Sequence, residues 1–547
     1  MRLPPSRLPS TAKLPEGSRG VRSATPLAAP FRSRPFAVMW TATVISNIGT
    51  WMYNLASGWL MLTLDPSALS VSLVQVANTL PMFLLAIPAG ALVDIVDRRR
   101  FLIVGESAIT LTSLVFAALV WLHRINPTSL LLFTLVATVG AAMTAPAWQA
   151  VVTQLVPRED LPAAVSVNSA GINVSRAVGP ALGGFMITSL GIAAPFWFDA
   201  FSNFGVIAGL IWWRPPGRSH ASLPPESFWS AVRTGMRHAR YNPHLRSTLV
   251  RAAGYFLFAG AYWALLPIIV REQMRGGPAT YGILLGVIGA SAVGAALTLP
   301  WLRARCSAEQ MFSLATLTTA GSMAVFALAH NLAIAVIASF MAGASWIAAL
   351  SGLNLSAQIS LPEWVRGRGL AIYITVMFGA LSAGSALWGE LATIASLSAA
   401  LLVAAAGSLA TILLLRGWQL QTAANVDFTP SLHWPVPITS GAIEPERGPV
   451  LVTVEYHVEP QHRDQFLQAL RRYSKERRRD GAYDWALYEN PAEAGRFIET
   501  FHSDSWLDHL RQHQRVTMSD QALEKAVSRF QVDGKPKTTH YIGVPIA

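Results

Sequence analysis

Long runs of apolar residues recur along most of this 547-residue chain. Many of them reach the roughly 20 residues that a helix needs to cross the apolar core of a bilayer. Charged residues make up 13% of the chain, whereas a typical soluble domain has about 25%. We therefore predict an all-α polytopic membrane protein with twelve spans. The predicted spans are 36–62, 72–93, 101–122, 129–151, 163–190, 193–213, 249–270, 280–302, 311–328, 333–355, 369–391 and 396–415.

Positively charged residues are unevenly distributed between alternate connections of these spans. If the N-terminus is cytosolic, the inner segments carry 22 Lys and Arg residues and the outer segments carry 3. Because cytosolic loops are enriched in Lys and Arg, this bias predicts a multi-pass protein of the cell (inner) membrane with both termini in the cytosol. Residues 1–34 are rich in Pro, Ser and Arg and have no apolar stretch, so we expect a disordered cytosolic arm rather than a cleaved signal peptide.

The net charge of +12 belongs mainly to the membrane part of the chain. Residues 447–547 carry 15 basic and 14 acidic side chains, so +11 of the net charge lies elsewhere. The enrichment of Lys and Arg in the inner segments explains this charge. We therefore predict no nucleic-acid partner. The single cysteine, Cys306, excludes an internal disulfide.

The connection between the second and third spans, residues 90–100, combines small, acidic and basic residues. It resembles the signature loop of the major facilitator superfamily of secondary transporters. The matching positions are Gly90, Asp94, Arg98 and Arg99, whereas Ile95 and Asp97 depart from the usual Arg and second Gly. Glycine allows helices to approach closely, and an acid at a membrane helix end needs a cationic partner. The resemblance implies a gating role; an ordinary basic cytosolic loop is the alternative.

An internal repeat supports the same interpretation. Val156-Pro157 is followed by Gly179-Pro180-Ala-Leu-Gly183-Gly184, and Leu361-Pro362 is followed by a similar glycine-rich segment at 384–389, with an offset of 205 residues in both places. Two like-oriented six-helix halves are typical of this superfamily. We therefore predict a twelve-helix major facilitator fold with halves at 35–213 and 249–417.

The cytosolic connection at 214–248 has apolar residues at helical spacing beside basic ones. They are Phe228, Trp229, Val232 and Met236, beside Arg233, Arg237 and Arg240. This pattern predicts an amphipathic helix on the inner leaflet. A plain linker that joins the halves is an equal alternative.

The segment with Gly179, Pro180, Gly183 and Gly184 resembles the fifth-span motif of exporters in the superfamily, although Ser175 stands where the motif has an earlier Gly. Proline bends a helix and glycine removes side-chain bulk, so the span is suited to bend and pack closely. Close packing without any bearing on the direction of transport is the alternative.

Polar side chains within the spans are the candidates for substrate binding or ion coupling. Arg176 lies near the middle of its span, where a cation is costly unless it faces a polar cavity. Its expected neighbours are Asn173, Asn47, Asn54, Gln149, Asp199 and Asn203, and Glu106 is a further acid within a span. A permanent pair of Arg176 with Asp199, or helix packing, is the alternative to a binding role.

The chain changes character after the last span. A linker at 418–448 precedes a segment with alternating and helical patterns in the order βαββαβ, which predicts a small ferredoxin-like α+β cytosolic domain at 449–547. The predicted strands are 450–458, 483–488, 496–502 and 538–544, and the predicted helices are 461–472, 505–513 and 519–530.

This tail, with Arg477-Arg-Arg-Asp-Gly-Ala-Tyr-Asp-Trp485, Glu499-Thr-Phe and the segment 505–513, resembles the C-terminal extension of the transmembrane secretion effector family within the superfamily. The enterobactin exporter belongs to the same broad group. The resemblance implies an exporter.

Domains of this shape also resemble antibiotic-biosynthesis monooxygenases, which often dimerise through their sheets. Several His and Trp residues are candidates to line a cleft: His457, Trp485, His502, Trp506, His509 and His513. We find no Cys/His pattern with zinc spacing, no flavin or nicotinamide fingerprint and no phosphate loop of an ATP-driven pump. We therefore expect no cofactor, no metal and no catalytic residue, and we expect the domain to act in self-association or regulation.

Two hypotheses follow. The first is a secondary active transporter, a proton-coupled exporter of a small amphipathic molecule of the siderophore, drug or macrolide type. The second is a membrane-anchored sensor or monooxygenase-like enzyme that acts through the C-terminal domain. The repeated halves and the loop motif favour the first.

Overall fold

A computed structural model of the chain describes residues 28–214, 228–420 and 443–544, together with 427–429, 431, 433–434, 437, 439 and 441. The side chains of residues 91, 94, 95, 158 and 228–231 lie outside this description. Of the predicted N-terminal arm, residues 1–27 fall outside the described residues, whereas Ala29–Arg32 form a short 3-10 helix and Arg34 begins the first long helix. Of the predicted tail linker, 421–426 and seven further residues fall outside the described residues.

The membrane part is helical. Within the described ranges it has twelve helices of 18 to 31 residues and one shorter helix, α7, between the first six and the last six. The first six are α1 Arg34–Leu64, α2 Ala68–Ile95, α3 Arg98–Trp121, α4 Pro127–Val152, α5 Leu161–Leu190 and α6 Ala194–Trp212. They are followed by α7 Phe228–Tyr241, α8 Pro243–Ile268, α9 Pro278–Arg303, α10 Ala308–Ala327, α11 Leu332–Ile359, α12 Arg366–Ile394 and α13 Leu397–Leu414.

Nine of the helices in the described part are long and apolar enough to cross a membrane. The three long helices outside this group are α1, α5 and α10, which carry many Ser, Thr and Asn side chains or, in α5, an Arg. Polar side chains lower the hydropathy of a helix that faces other helices rather than lipid. The fold is thus mostly helical and polytopic, and the count of twelve spans stays a prediction.

The two sets of six helices meet through equivalent members. The fifth helix of the first set, α5, packs against the second helix of the other set, α9, and the fifth helix of the second set, α12, packs against α2. The 205-residue offset seen in the sequence also separates the first residues of α5 and α12, Leu161 and Arg366. The repeated glycine segments therefore lie on the two helices that join the halves.

Glycines bring these helix pairs into backbone contact. A Cβ added at Gly184 of α5 would lie 2.6 Å from the carbonyl oxygen of Pro278, and one added at Gly282 of α9 would lie 2.5 Å from the carbonyl oxygen of Pro180. At the α2–α12 crossing, a Cβ at Gly389 would lie 2.4 Å from the Cβ of Ser72. Only residues without a side chain fit at such distances, so both crossings depend on glycine.

At one end of the bundle, hydrogen bonds also join the halves. The Arg271 guanidinium donates to the carbonyl of Leu62, and the Leu69 amide donates to the Thr393 hydroxyl at 3.0 Å. These residues lie in or beside the α1–α2, α8–α9 and α12–α13 connections. Near the opposite end of the bundle, a Cβ added at Gly294 would meet no atom of the described residues within 4 Å.

A four-stranded antiparallel sheet forms the C-terminal unit. Its elements are β1 Val450–His457, α14 Arg463–Arg479, β2 Tyr483–Glu489, β3 Arg496–Ser503, α15 Trp506–Arg515, α16 Met518–Ser528 and β4 Lys537–Ile542. The strand order is β2-β3-β1-β4. Alternate residues of β1, from Val450 to Tyr456, are buried against Phe466 and Leu470 of α14, which gives this unit its own apolar core. All seven predicted elements are observed, and α14 is one and a half turns longer than predicted.

The predicted amphipathic helix is observed as α7, but its buried face contacts protein. Thr234, His238 and Ala239 are buried, whereas Met236 is 54% exposed. The helix packs on α12 and on α14 of the sheet unit. Burial and the nearby Arg479 and Arg515 guanidinium groups hold the pKa of His238 well below its usual value, so its imidazole is neutral. Only the exposed side of α7 is therefore available to lie on the inner leaflet of the membrane.

Substituting Gly282 tests the backbone contact between the halves. We expect Gly282→Ala to lower the apparent melting temperature of the detergent-purified protein, because the added methyl group overlaps the α5 backbone and overpacking costs about 1–3 kcal/mol. Gly294→Ala, on the same helix with nothing within 4 Å, is the matched control and should melt at or above the wild-type temperature. Equal melting of the two variants would contradict the packing argument.

Candidate functional site

A cavity of about 430 Å³ lies within the first six-helix half. Its lining comes from α1 to α6 and from the short segment after α4, and each helix contributes one face. On α6, for example, the lining residues are Asp199, Asn203 and Val206, which helical spacing places on one side. The polar lining residues are Thr43, Ser46, Asn47, Thr50, Tyr53, Asn54, Asn78, Glu106, Ser113, Thr138, Thr144, Trp148, Gln149, Asn168, Asp199 and Asn203.

Asp199 is a buried carboxylate held by hydroxyl groups. Its side chain is 4% exposed. The Ser113 hydroxyl of α3 donates to Oδ2 of Asp199 at 2.9 Å, and the Thr50 hydroxyl of α1 donates to Oδ1 at 3.4 Å. The carboxylate thus connects three helices of the first half without the help of a cation.

Glu106 is the second buried acid of the cavity and is 8% exposed. The Trp148 indole Nε1 of α4 donates to Oε1 of Glu106 at 2.7 Å. One turn of α6 beyond Asp199, Asn203 accepts a hydrogen bond at Oδ1 from the Ser46 hydroxyl at 2.5 Å. Every hydrogen bond to the two acids comes from a neutral donor.

The cavity combines buried acids with neutral surroundings. Among the described residues that line it, none is Lys, Arg or His. A buried carboxylate without a cationic partner is costly, and the cost falls when it binds a proton or a cationic group. The large apolar share of the lining, with rings such as Phe36, Trp40 and Tyr53, suits the apolar part of a ligand. The arrangement can therefore bind an amphipathic molecule and exchange a proton.

Most of the candidate polar residues meet at this cavity. Asn47, Asn54, Glu106, Gln149 and Asp199 all line it. Asn173 does not, and its amide Nδ2 donates to the carbonyl of Ser169 one turn earlier on α5 at 2.9 Å.

Arg176 is not among the described residues that line this cavity, and its expected set of neighbours stays a prediction. The Arg176 guanidinium lies over the Trp51 ring, 5.4 Å from the centroid, and within electrostatic range of Tyr262 in the second half. Its Nε and Nη1 are buried and have no hydrogen-bond partner among the described residues. Because α5 has one face toward the cavity and another toward the second half, sequence spacing alone does not decide which face carries the cation.

The glycines of the fifth-span motif serve packing on two sides of α5. A Cβ added at Gly179 would lie 2.6 Å from the Cβ of Trp51, and one added at Gly183 would lie 3.2 Å from the Cα of Met52, both on α1. Gly184 faces α9 of the other half, and Pro180 lies inside the helix. The motif thus holds α5 against α1 and against the second half at once.

The loop motif has a different structural role from the one its glycine suggested. Among the residues that the structure describes, none comes within 4 Å of a Cβ added at Gly90, so no described helix approaches closely there. Arg99 donates from Nε and Nη2 to the last carbonyls of α6, those of Leu210 and Ile211, at 2.8 and 2.6 Å. Asp97, a departure from the family pattern, caps α3 by accepting from the Arg100 amide at 2.8 Å.

Of the other two charged residues of the loop motif, Arg98 and Asp94, the structure describes the side chain of Arg98 only. Arg98 is the first residue of α3 and is half-buried. The side chain of Asp94 lies outside the described part of the chain.

Sequence reasoning missed several lining residues. Asn78 and Asn168 line the cavity but were not among the predicted residues. Like Asn47, each is an amide side chain within an apolar run. No sequence pattern marks Ser113 or Trp148. Their hydrogen bonds to the buried acids depend on how α3, α4 and α6 cross. Outside the cavity, three histidines of the sheet unit, His509, His513 and His540, lie close enough together to hold a metal ion, and the sequence reasoning did not identify this group.

Comparison with protein families finds one match that spans nearly the whole chain. Residues 24–545 match the family described as Transmembrane secretion effector. The match therefore includes the helical part and the sheet unit.

Individual proteins show more distant similarity. The chain is 25% identical to Multidrug efflux pump Tap of Mycolicibacterium fortuitum, over 67% of this chain and 91% of that protein. It is 23% identical to the Staphyloferrin A transporter of Staphylococcus aureus, over 64% of this chain and 87% of that protein. It is 22% identical to Macrolide efflux protein A of Streptococcus pyogenes, over 44% of this chain and 60% of that protein.

Solved structures of transporters share the fold. A bacterial homologue of the human lysosomal transporter Spinster, in an inward-facing and unoccupied conformation, superposes with a TM-score of 0.51 at 15% identity, over 71% of this chain and 95% of that one. A POT family transporter in complex with 5-aminolevulinic acid gives a TM-score of 0.57 at 12% identity, over 71% of this chain and 96% of that one.

Proposed function

Because the chain belongs to the transmembrane secretion effector family of major facilitator transporters, we propose that it is a proton-coupled antiporter that exports a small amphipathic molecule. The similar proteins are a multidrug efflux pump, a Staphyloferrin A transporter and a macrolide efflux protein. They support a substrate of the drug, siderophore or macrolide type. A sensor or monooxygenase-like enzyme is not carried forward, since the family match assigns the helical part and the sheet unit together to transporters.

One observation carries the coupling part of this proposal. Asp199 and Glu106 are buried beside a cavity whose described lining has no cation. A proton neutralises such a carboxyl group, and a cationic or hydrogen-bonding substrate competes for the same oxygens. Competition between proton and substrate for one site is sufficient to couple their movements in opposite directions.

Alternating access requires the halves to meet at one end at a time. The contacts at Gly184, Gly282 and Gly389 close the bundle at the end away from α7, whereas Gly90 and Gly294 have open space. We assign this arrangement to an inward-facing state. In this proposal the loop residues Gly90, Asp94, Arg98 and Arg99 act when the opposite end closes, and the glycines of α5 allow the helix to move.

Arg176 is proposed to take part in the same cycle. Its guanidinium is buried near the contact between the halves, where Nε and Nη1 have no partner among the described residues. A cation in that position favours an anionic group, either on the substrate or on a carboxylate that approaches in another state.

A substrate panel is the first test of the function. The gene is expressed in a bacterial strain that lacks its own efflux pumps, and susceptibility to drugs, macrolides and siderophore-type compounds is measured with and without the protein. Lower susceptibility to at least one class, lost when the proton gradient is collapsed, is the expected result. Equal susceptibility throughout the panel would argue against export of these classes.

Substitution of the buried acids tests coupling separately from binding. We expect Asp199→Asn and Glu106→Gln to reduce proton-driven transport by at least about tenfold, equivalent to about 1.4 kcal/mol, because the amides cannot take up a proton. Exchange of labelled for unlabelled substrate without a gradient should persist. Asp65→Asn, at a loop carboxylate bonded to Ser67 and Ser70, is the control and should transport normally. Proton-driven transport that survives in both cavity variants would remove the acids from the coupling role.

We propose that both termini and the sheet unit lie in the cytosol, on the basis of the 22 to 3 distribution of Lys and Arg. Cys306, the only cysteine, follows α9 on the proposed inner side, and His330 follows α10 on the proposed outer side. These two residues flank a single helix and so provide a matched pair.

The orientation is tested by labelling with a membrane-impermeant maleimide. We expect Cys306 to react in inside-out vesicles and not in intact cells, because its loop faces the cytosol. The Cys306→Ser/His330→Cys variant should show the reverse pattern, since His330 is exposed at the other end of α10. Labelling of native Cys306 in intact cells would invert the topology.

We further propose that the C-terminal unit is a ferredoxin-like domain that regulates transport or mediates self-association. The βαββαβ order and the strand order β2-β3-β1-β4 support the ferredoxin-like assignment. Regulation is supported by contact with α7, the helix between the two halves. Arg237 of α7 donates to the carbonyl of Gly481, lies 5.6 Å from the Tyr483 ring centroid and has Nη2 3.9 Å from Asp504 Oδ2.

A charge reversal tests the regulatory contact. Arg237→Glu should change the transport rate in the same direction as deletion of residues 421–547, because it places two acids together at Asp504. Arg240→Glu, at an exposed position of the same helix, should leave the rate unchanged, and Arg237→Glu/Asp504→Arg should restore part of it. If the deletion alters transport while Arg237→Glu does not, the contact has no regulatory role.

A further inference from the structure

Three histidines of the sheet unit lie together on the helix-covered face of the sheet. His509 and His513 are four residues apart on α15, which places their side chains on one face of that helix. His540 is on β4 directly opposite Val452 of β1, so it points to the same side of the sheet as the buried Val452 side chain. The helix and the edge strand thus bring three imidazoles together.

The ring nitrogens have the spacing of metal ligands. One nitrogen from each ring lies within 4.8 Å of the others, and the two Nε2 atoms of His509 and His513 are 3.2 Å apart. With metal–nitrogen distances of about 2.0–2.1 Å, two ligands of a tetrahedral site are about 3.3 Å apart. The His509–His513 pair already has this separation, and His540, with its ring centroid 4.7 Å from that of His509, needs only a small rotation to join it.

The surroundings partly shield the three imidazoles from water. His509 is 1% exposed. The Trp506 ring packs against His509 and the Trp434 ring packs against His513. Gln512 lies beside His509 as a candidate partner for its second ring nitrogen. His513 and His540 are half-buried, which leaves a path for an ion to enter.

We propose that His509, His513 and His540 bind a late first-row divalent cation, of which Zn²⁺ is the probe. Imidazole nitrogen is a preferred ligand of Zn²⁺, Cu²⁺ and Ni²⁺, whereas Mg²⁺ and Ca²⁺ prefer oxygen. Three histidines complete three positions of a tetrahedral site and leave the fourth for water or an anion, the arrangement of an open rather than a closed zinc site.

The competing explanation is a hydrogen-bonded group of imidazoles. In one tautomer, the 3.2 Å contact between His509 and His513 is an N–H···N hydrogen bond, and the two Trp rings shield it. Such a group is stable without any ion. The two explanations differ in stoichiometric metal binding and in which variants abolish it.

Zinc binding to the full-length protein tests the proposal. The detergent-purified chain, carrying an affinity tag without histidine, is stripped with chelator, incubated with Zn²⁺, desalted and analysed for metal content. We expect about one zinc per chain. His513→Gln and His540→Gln should each weaken binding by more than about tenfold, because loss of a metal-bound ligand exceeds the 10–100-fold effect typical of its outer-shell partners.

Two further variants separate metal binding from folding. His457→Gln, at an exposed histidine of the same unit that pairs with Asp533, is the matched control and should bind zinc as the wild type does. His513→Cys should keep the site with a thiolate ligand, visible as a sulfur-to-metal charge-transfer band when Co²⁺ replaces Zn²⁺. Absence of stoichiometric zinc in the wild type, equal binding in all the histidine variants, or failure of His513→Cys to bind Co²⁺ would each overturn the proposal.

Discussion

The apolar core of a bilayer offers no hydrogen-bond partners, and this constraint accounts for most of the helical architecture. The backbone satisfies itself in long helices, and side-chain hydroxyls bond to carbonyls one turn back, as Ser175 does to Gly171 at 3.0 Å. Charged side chains within the helices need other partners. Asp199 and Glu106 accept hydrogen bonds from side chains of neighbouring helices, whereas Nε and Nη1 of Arg176 are buried without a hydrogen-bond partner among the described residues.

The same constraint explains why backbone contact, rather than burial of large side chains, joins the two halves. Lipid tails are as apolar as leucine, so helices in a membrane gain by close packing of small residues. Gly184 and Gly282 provide it at one crossing, and Gly389 and Ser72 provide it at the other. Because α5 also packs on α1 through Gly179 and Gly183, it joins the contact between the halves to a helix that lines the cavity.

The sequence predicts those parts of the fold that depend on local pattern. The length of the apolar runs predicts the helices, and the alternation of apolar and polar residues from Val450 to Val458 predicts the first strand of the sheet. Both are predictable because each pattern is contained in one segment of the chain. Placement on a helix face is less predictable, since it depends on which neighbours cross that helix. Arg176 was expected to face the cavity, but it is not among the described lining residues, and its guanidinium lies over the Trp51 ring.

The histidine group shows the same limit in the sheet unit. The spacing of His509 and His513 is visible in the sequence as one turn of a helix. His540 joins them only because β4 pairs with β1 at the edge of the sheet, so no local motif contains all three.

The sheet unit and the membrane part are joined by more than the connecting segment. Arg237 of α7 contacts the Gly481 carbonyl, and the Arg515 guanidinium of the sheet unit lies 4.3 Å from the Trp364 ring centroid, in the connection between α11 and α12. One contact is on the segment between the halves, and the other is beside the helix that meets α2 across them. Both points belong to the second half, because α7 packs on α8 and α12 and its His238 ring centroid lies 5.5 Å from that of Trp364. In the proposed cycle the sheet unit therefore moves with the second half, and a ligand that changes its contacts with α7 or Trp364 acts on the half that carries α12, the helix that meets α2 of the first half.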